Sequence, residues 1–312
     1  MKRIASILLA AMMSATLFAA ETTFLPISVM AMDDLEPFPD GAKVLIENRL
    51  NQILTKNGIA GLDYNDQFIL TVTATPIDKD IIAGPPSKIS EKMEMNFYIL
   101  DAYAKKIFST TNLKVRGLGE TETRCYLNAF SNIPVQSPDL TQFIEEGKQK
   151  IIAYYDHEAD ALIKKAQFLA KQKKYEEALY TVMLIPQQSA KYDAAIEAGV
   201  EIYQQHIDNE CNINLAKARA AWAAEQNSIG AEKAGQYLVN ILPEAGCYDE
   251  AMVLYREIKG KVLDDWKFEM RKYDDSVELK RLLINGARDV GVAYGKHQPQ
   301  KEITIGVLRG ML

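Results

Sequence analysis

The sequence predicts an α+β or α/β N-terminal domain followed by an all-α domain of helical repeats. Polar and apolar residues alternate in QFILTVTAT (67–75), which is the period of a half-buried strand. From about residue 156 to 261 the chain is instead rich in Ala, Glu, Lys, Gln and Tyr, and its apolar residues recur at helical spacing. One short pattern also recurs in this second region, as YEEAL (175–179) and YDEAM (248–252). These observations separate a β-containing half from a helical half.

The start of the chain has the composition of a secretory signal peptide. Lys2 and Arg3 form a basic start, an apolar run follows over 4–18, and Ala19-Ala20 supply small residues for cleavage. The alternative, a single membrane anchor, requires about 20 apolar residues, and this run is shorter and ends in polar residues. We therefore expect residues 1–20 to be removed on export. No later stretch of the sequence is long enough to span a membrane.

The charge of the chain disfavours two classes of partner. The formal net charge is −6, and loss of Lys2 and Arg3 with the leader moves it to −8. An acidic exported protein approaches nucleic acids and anionic membrane surfaces against a repulsive field. We expect a protein or peptide segment of the cell envelope as partner, with the protein in the periplasm or associated with the outer membrane. The sequence leaves the identity of the partner and the oligomeric state open.

The predicted first domain, residues 21–155, combines strands and helices. Helical apolar spacing over 42–54 indicates a helix capped by Asp40 and ended at Asn57-Gly58. Ser137-Pro138-Asp139 indicates the start of a second helix, with serine at the cap and proline in the first turn. Besides 67–75, strands are expected at 23–31, where Pro26 favours a sheet edge, at 93–100 and at 106–115.

Core packing does not explain two further segments. IDKDIIAGPPSKISEK (77–92) is predicted to be a long connector between strands, of the kind that is often functional or mobile. The C-terminal segment, residues 262–312, is expected to contain helices and a β-prone tail, KEITIGVLRGML (301–312). Such a tail can add to a sheet edge in the same protein or in a partner.

The predicted second domain, residues 156–261, has a repeat with a spacing of 36 residues. Tyr175, Cys211 and Cys247 follow one another at that interval, which is close to the ~34-residue period of a two-helix repeat. We interpret the region as three helical hairpins, in which Cys211 and Cys247 occupy equivalent turns. Export makes a disulfide between them possible, whereas Cys125 is expected to be free or buried. Stacked turns commonly lie ~10 Å apart and a disulfide needs Cα atoms within ~7 Å, which leaves the pairing open.

The two copies of the short pattern share an aromatic residue and a small alanine. Tyr175, Ala178 and Pro186 form one set, and Tyr248 and Ala251 form another. These sets resemble the tetratricopeptide family, although the middle copy lacks the aromatic and the proline and no copy has the family's Trp-Leu-Gly set. The resemblance implies stacked hairpins with a concave groove that binds a polypeptide, and the simpler alternative is a bundle that only packs. On the groove we expect four polar residues that lie off the apolar stripes: Gln167, Lys171, Gln204 and Gln236.

The order of elements in the first half also has a counterpart. A helix over 41–59 precedes the strand at 67–75, and after two more strands Gly117 and Gly119 precede a helix that begins near Thr121. This order is similar to the N-terminal α/β domain of TolB-like and CsgG-like envelope assembly proteins. The sequence departs from their lipoprotein members because it has no cysteine near the predicted cleavage point. The resemblance implies partner binding rather than catalysis.

The sequence gives little support for an enzyme. Gly117-Leu118-Gly119 lacks the Lys-Ser/Thr of a phosphate-binding loop, and His157 has no second histidine at the spacing of a metal site. We predict no catalytic residue, no metal and no cofactor. The predicted function is that of a non-catalytic interaction or scaffold protein of the bacterial cell envelope. The alternatives are a hydrolase of envelope polymers with an acidic active site at the domain junction, and a solute-binding receptor with one deep pocket.

Overall fold

The computed structural model shows an N-terminal four-stranded sheet followed by a mostly helical region. The expected order of a β-containing half and a helical half is therefore confirmed. The predicted leader, residues 1–20, lies outside the described residues, and its cleavage stays a prediction. The structure describes residues 25–31, 39, 41–59, 67–263, 266–271 and 279–309.

The sheet has the strand order β1-β2-β3-β4. Its short first strand runs parallel to β2, and the other neighbouring strands are antiparallel. The strands are β1 (Ser28–Val29), β2 (Phe68–Ile82), β3 (Lys88–Asp101) and β4 (Lys106–Gly119). The three strands predicted at 67–75, 93–100 and 106–115 are confirmed and longer than expected, while the one predicted over 23–31 is limited to two residues after Pro26.

The first helix, α1 (Ala42–Lys56), differs from the prediction at its start. Its N-cap is Gly41, in the left-handed conformation with φ 78°, whereas the predicted cap Asp40 lies outside the described residues. A glycine adopts this conformation without steric cost because it has no Cβ. The helix ends at Asn57 and Gly58 as predicted, with Gly58 also left-handed at φ 77°.

The segment 77–92 is a β-hairpin, so the prediction of a long connector is wrong. The strands pair from Asp78 opposite Lys92 up to Ile82 opposite Lys88. The alternation of polarity breaks down here because this part of β2 is exposed on both faces, and an exposed ribbon does not require alternation.

The remaining helices of the described chain pack against the sheet and against one another. Ser137 caps α3 as predicted, since its Oγ accepts a hydrogen bond from the Leu140 N–H at 3.2 Å. These helices are α2 (Glu122–Ser131), α3 (Pro138–Lys171), α4 (Tyr175–Met183), α5 (Tyr192–Ala224), α6 (Ser228–Leu238), α7 (Tyr248–Val262), α8 (Leu279–Gly295) and α9 (Gln300–Arg309).

The glycines of β4 allow α2 to lie directly on the sheet. A Cβ added at Gly117 would lie 2.1 Å from the Cys125 carbonyl oxygen, and one at Gly119 would lie 2.5 Å from the Cys125 nitrogen. Any side chain at either position would therefore push α2 away from the sheet. The Gly-Leu-Gly motif is a packing feature in this structure.

The boundary predicted between residues 155 and 156 falls in the middle of α3. This 34-residue helix extends from the sheet into the helical half. One continuous apolar core, from Leu25 in the first half to Ala287 in the second, includes side chains of both halves. The change in composition near residue 156 therefore does not mark a linker.

The predicted 36-residue spacing does not mark equivalent positions in the structure. Tyr175 begins the short helix α4, Cys211 lies within the long helix α5, and Cys247 is the N-cap of α7. Long and short helices alternate instead, with 34, 9, 33 and 11 residues in α3 to α6. The start of α7 at Tyr248-Asp249 corresponds more closely to the start of α5 at Tyr192-Asp193, where the same two residues open a helix.

The β-prone tail is helical over its described residues. Residues 300–309 form α9, so the expectation of a strand in the tail is wrong. Ile305 packs against Ile69 and Leu100 on the face of the sheet opposite to α2 and α3. Burial of one helical face against the sheet overrides the weak β propensity of the sequence.

Candidate interaction surface

The four polar residues predicted to line a groove lie on three different helices. Gln167 and Lys171 are exposed on α3, and Gln236 is exposed on the short helix α6. Gln204 on α5 is half-buried, and its Nε2 donates to Asp208 Oδ1 at 2.9 Å and to the Glu244 carbonyl oxygen at 3.0 Å. Gln204 therefore holds the turn before α7, and only the two α3 residues lie close together in the sequence.

The four residues assigned to the repeat all take part in packing. Ala178 and Ala251 are fully buried, so a larger side chain at either position would overpack a helix contact. The ring of Tyr175 lies 5.2 Å from that of His206, and the Tyr248 hydroxyl donates to the Arg271 carbonyl oxygen.

Two of the three cysteines form a disulfide, and the third is a free thiol. Cys211 and Cys247 form a disulfide with their Cα atoms 6.0 Å apart, which links α5 to the start of α7. Cys125 is a free, buried cysteine on α2, and burial raises the pKa of its thiol. The pairing matches the one that sequence spacing suggested, although the two cysteines do not occupy equivalent turns.

The most exposed part of the sheet is the end of the β2–β3 hairpin, which we call the arm (residues 75–88). Every residue of the arm is exposed. The arm includes three aliphatic side chains, Ile77, Ile81 and Ile82, which are 49%, 76% and 49% exposed. Ile81 and Ile82 point to opposite faces of the ribbon because side chains alternate along a strand. Apolar side chains are thus exposed on both faces near the tip.

Two ion pairs connect the arm to its supports. Lys79 pairs with Glu122 at the start of α2, and Asp80 Oδ2 lies 3.4 Å from an Arg116 nitrogen on β4. The same Arg116 nitrogen donates to Ser90 Oγ at 2.9 Å. These contacts anchor the arm on both sides of the ribbon, so its isoleucines extend from a supported hairpin.

The outer edge of β2 is poorly suited to pairing with another strand. Among the described residues β1 pairs with β2 only at Ile69 and Leu70, which leaves the edge beyond them open. Pro76 has no N–H, the register shifts between Pro76 and Asp78, and charged residues follow. Proline, irregular register and charge are features that block edge-to-edge pairing. The arm is therefore better suited to contact a partner through its side chains than through its backbone.

A buried carboxylate lies beneath α2 at the base of the arm. Glu91 on β3 is almost fully buried, and its Oε2 has no hydrogen-bond partner among the described residues. Burial raises the pKa of Glu91, and the neighbouring Lys79 opposes that rise. This group is closed off from solvent and is not a surface acid.

A second buried carboxylate lies where the sheet meets the helical half. Asp101, at the end of β3, accepts a hydrogen bond from the Tyr155 hydroxyl at 2.5 Å and from the N–H groups of Tyr103 and Ala104 at 2.7 and 2.8 Å. Gln67 adds a contact to Asp101 at 3.2 Å and donates to the Leu184 carbonyl oxygen at 2.8 Å. Burial raises the pKa of Asp101, and these hydrogen bonds oppose the rise. The carboxylate is fully enclosed, so it is not placed to contact a substrate.

A pocket of about 170 Å³ lies between α4, α5 and α8. Its lining is apolar apart from Tyr192 and Arg288, and Arg288 is exposed. Helix α8 approaches closely here because its glycines face large side chains: a Cβ added at Gly291 would lie 2.1 Å from Met183 Sδ, and one at Gly286 would lie 2.4 Å from the Tyr203 ring. These glycines are a sequence signal that was not used to predict this contact.

Two other features bear on function. Within the described ranges, no set of three or more His, Cys, Asp and Glu side chains is arranged to hold a metal ion. Within the same ranges, no helix combines the length and the apolar character needed to cross a membrane.

Comparison with known proteins adds one similarity. No protein-family model and no curated protein matches the chain. A solved structure, a minor lipoprotein from Acinetobacter baumannii, is 21% identical over 40% of this chain and 90% of that chain, with a TM-score of 0.25. The similarity is too low to support an argument about fold or function.

Proposed function

We propose that this protein is an exported, non-catalytic interaction or scaffold protein of the bacterial cell envelope, and that the arm is its main binding surface. The observation that carries the proposal is the exposure of Ile77, Ile81 and Ile82 on a hairpin held by ion pairs. Clustered exposed aliphatic side chains favour burial against a partner. The composition of residues 1–20 supports export, and the acidic net charge favours a polypeptide over nucleic acid.

The helical half supplies a second, weaker candidate surface. Its tetratricopeptide resemblance implies a polypeptide-binding groove, and the exposed Gln167 and Lys171 flank Phe168, which is 62% exposed on α3. An isolated aromatic side chain on a polar helix face is common on protein surfaces. We therefore rank this patch below the arm. The first half, in the same proposal, serves as the partner-binding domain that its similarity to TolB-like and CsgG-like proteins implies.

The two alternative functions, a hydrolase and a solute-binding receptor, each require a structural feature. A hydrolase with its acid at the junction of the halves would need an accessible carboxylate there, and Asp101 is enclosed by its hydrogen-bond partners. A receptor would need one deep pocket, and the pocket between α4, α5 and α8 is smaller than the ~300–1,000 Å³ typical of ligand sites. Neither observation favours these functions over binding by the arm.

Capture of partners from the native envelope tests the proposal. The tagged exported protein serves as bait, and captured proteins, including untagged copies of the chain itself, are quantified by mass spectrometry. The triple variant Ile77→Ser, Ile81→Ser, Ile82→Ser should lose at least about tenfold in capture of the main partner, since desolvated anchor residues dominate interfaces. A matched variant, Gln167→Ala with Lys171→Ala, should capture as much as the parent. Loss of capture by the α3 variant together with normal capture by the arm variant would refute the assignment.

A further inference from the structure

The C-terminal end of α3 and the turn after it form a cluster of lysines, which we call the lysine patch (residues 164–174). Its sequence, KKAQFLAKQKK, has five lysines and no acidic residue, in a chain whose net charge is −6. All five lysines are exposed. Charges that lie further apart than the Debye length, ~8–10 Å, are largely screened from one another. At close range an anionic surface therefore meets the positive charge of the patch rather than the net charge of the chain.

Most of these lysines are not neutralised by the protein itself. Lys174 Nζ lies 3.9 Å from a carboxylate oxygen of Glu177, whereas the other four lysines form no ion pair within the described residues. The acidic residue that precedes the patch on α3, Asp160, pairs instead with Lys191 at 3.1 Å. The positive charge of the patch is thus available to an external anion.

An exposed aromatic ring lies among these cations. Phe168 is 62% exposed, and it follows Lys164 by four residues and precedes Lys171 by three, so the three side chains share one face of α3. A ring at the boundary of headgroups and acyl chains, with lysines at the phosphates, is the arrangement of helices that bind a bilayer surface. An acidic polypeptide or a free anion would match the lysines but not the ring.

The shape of the patch also suits a flat surface. Eight of its eleven residues are exposed, and the three buried ones, Ala166, Leu169 and Ala170, lie on the inner side of α3. The patch is therefore the outer face of a helix end and not a cleft. A bilayer can contact all of its lysines at once, because lysine side chains are long and flexible.

The lysine patch and the arm lie at opposite ends of the molecule. Helix α3 runs along the sheet away from the arm, because Phe143 contacts Phe97 of β3, and Tyr155 contacts Asp101 at the end of that strand. The helix then continues for 16 residues beyond Tyr155, about 24 Å at ~1.5 Å per residue. A surface that meets the patch therefore leaves the arm accessible.

We propose that the lysine patch binds the surface of an anionic phospholipid bilayer, with its lysines at the phosphate groups and the ring of Phe168 inserted at headgroup level. This contact goes beyond the proposed function, which concerns the arm, and does not depend on it. The patch holds the helical end of the protein at a membrane while the arm stays free for its own partner. A few lysines and one ring give reversible attachment rather than insertion.

Flotation of the purified exported protein with lipid vesicles tests the proposal. The parent should float with vesicles of phosphatidylethanolamine and phosphatidylglycerol and not with vesicles of phosphatidylcholine, and salt should weaken the binding. The patch variant Lys164→Gln with Lys171→Gln should bind about tenfold more weakly or less still, because each lysine near an anionic surface contributes about fivefold. Its melting temperature should match that of the parent, since both side chains are exposed.

A matched control separates the patch from the net charge of the chain. Lys56→Gln with Lys114→Gln removes two exposed lysines from α1 and β4, far from the patch in the sequence, and should bind the anionic vesicles as the parent does. Insertion of the ring is measured with Phe168→Trp. Brominated phosphatidylglycerol should quench the fluorescence of the added tryptophan, whereas Trp222 and Trp266 are buried and should not respond.

Four outcomes would overturn the proposal. The first is a parent that does not float with the anionic vesicles, and the second is an equal loss of binding in the patch variant and the control. The third is binding of the parent to polyglutamate but not to vesicles, which would give the patch an acidic polypeptide as occupant. The fourth is loss of vesicle binding in the arm variant Ile77→Ser, Ile81→Ser, Ile82→Ser. Absence of vesicle binding together with arm-dependent capture would refute this inference and leave the proposed function standing.

Discussion

The two ends of the β2–β3 hairpin depart from the usual distribution of polarity in opposite ways. At the end next to the helices a carboxylate, Asp101, is fully buried. At the other end Ile81 and Ile82 are exposed to solvent. A buried carboxylate costs free energy unless hydrogen bonds satisfy it. Exposed aliphatic side chains do not gain the free energy that burial in the core would give.

Contacts within the chain account for the unusual group at the first end of the hairpin. Asp101 has four hydrogen-bonding neighbours from three parts of the chain, namely the residue before β2, helix α3 and the turn after β3. The unusual group is thus explained by the contacts that surround it, and it joins the sheet to the helical half. Ile81 and Ile82 have no such contacts among the residues that the structure describes, which is why we propose a binding role for that end of the hairpin.

Removal of the buried carboxylate should have the largest effect on stability. Asp101→Ala leaves the Tyr155 hydroxyl and the N–H groups of Tyr103 and Ala104 without this acceptor, and each buried group left unsatisfied costs ~1–3 kcal/mol. We expect a loss of about 3 kcal/mol in the free energy of unfolding, measured by urea denaturation. Asp101→Asn keeps an oxygen for the two N–H groups and should cost about 1 kcal/mol. Equal losses for the two variants would show that the carboxylate acts through something other than these hydrogen bonds.

The pH dependence of the free energy of unfolding tests the role of Asp101 in a second way. Burial raises the pKa of Asp101 in the folded protein above its unfolded value. At a pH between the unfolded and the folded pKa, the folded state therefore binds more protons than the unfolded state. The stabilisation that protonation of Asp101 gives to the folded state is present at low pH and is lost as the pH rises through the folded pKa. Relative to Asp101→Asn, the parent should gain stability as the pH falls from neutral towards 4. A difference between the two proteins that does not change with pH would contradict the rise in pKa.

Local patterns in the sequence predicted individual strands and helices but not how these elements are arranged relative to one another. The alternation at 67–75 and the Ser137-Pro138-Asp139 cap predicted real elements because both depend on neighbouring residues. The boundary at residue 155 failed because a helix that crosses between two packed regions has no local break. The short patterns at Tyr175 and Tyr248 did not mark equivalent positions of a repeat, because similar patterns can begin helices of different length.

The segment 77–92 was predicted to be a connector rather than a hairpin for a related reason. The hairpin at 77–92 has charges and prolines that interrupt strand periodicity, and its β2 side is exposed on both faces and so has no periodicity to detect. Its pairing depends on β3, which supplies the opposite register from Lys88 to Lys92. In contrast, the 36-residue spacing made a disulfide between Cys211 and Cys247 possible but left it open, and the structure forms this bond although the two cysteines do not lie in equivalent turns.

The smallest expected effect concerns the stability of the arm itself. Ile81→Ser with Ile82→Ser should change the free energy of unfolding by less than about 0.5 kcal/mol, since exposed side chains have little native burial to lose. The matched control is Ile99→Ser on β3 of the same sheet, where the side chain is fully buried and truncation with a polar atom should cost at least about 3 kcal/mol. Urea denaturation of the three proteins measures both values.

A loss of more than 1–2 kcal/mol in the arm variant would mean that the isoleucines are buried in the protein as it exists in solution. If that loss vanished on dilution, the burial would come from a second copy; if it persisted, the arm would fold back on its own chain, and the contrast between the two ends of the hairpin would no longer hold.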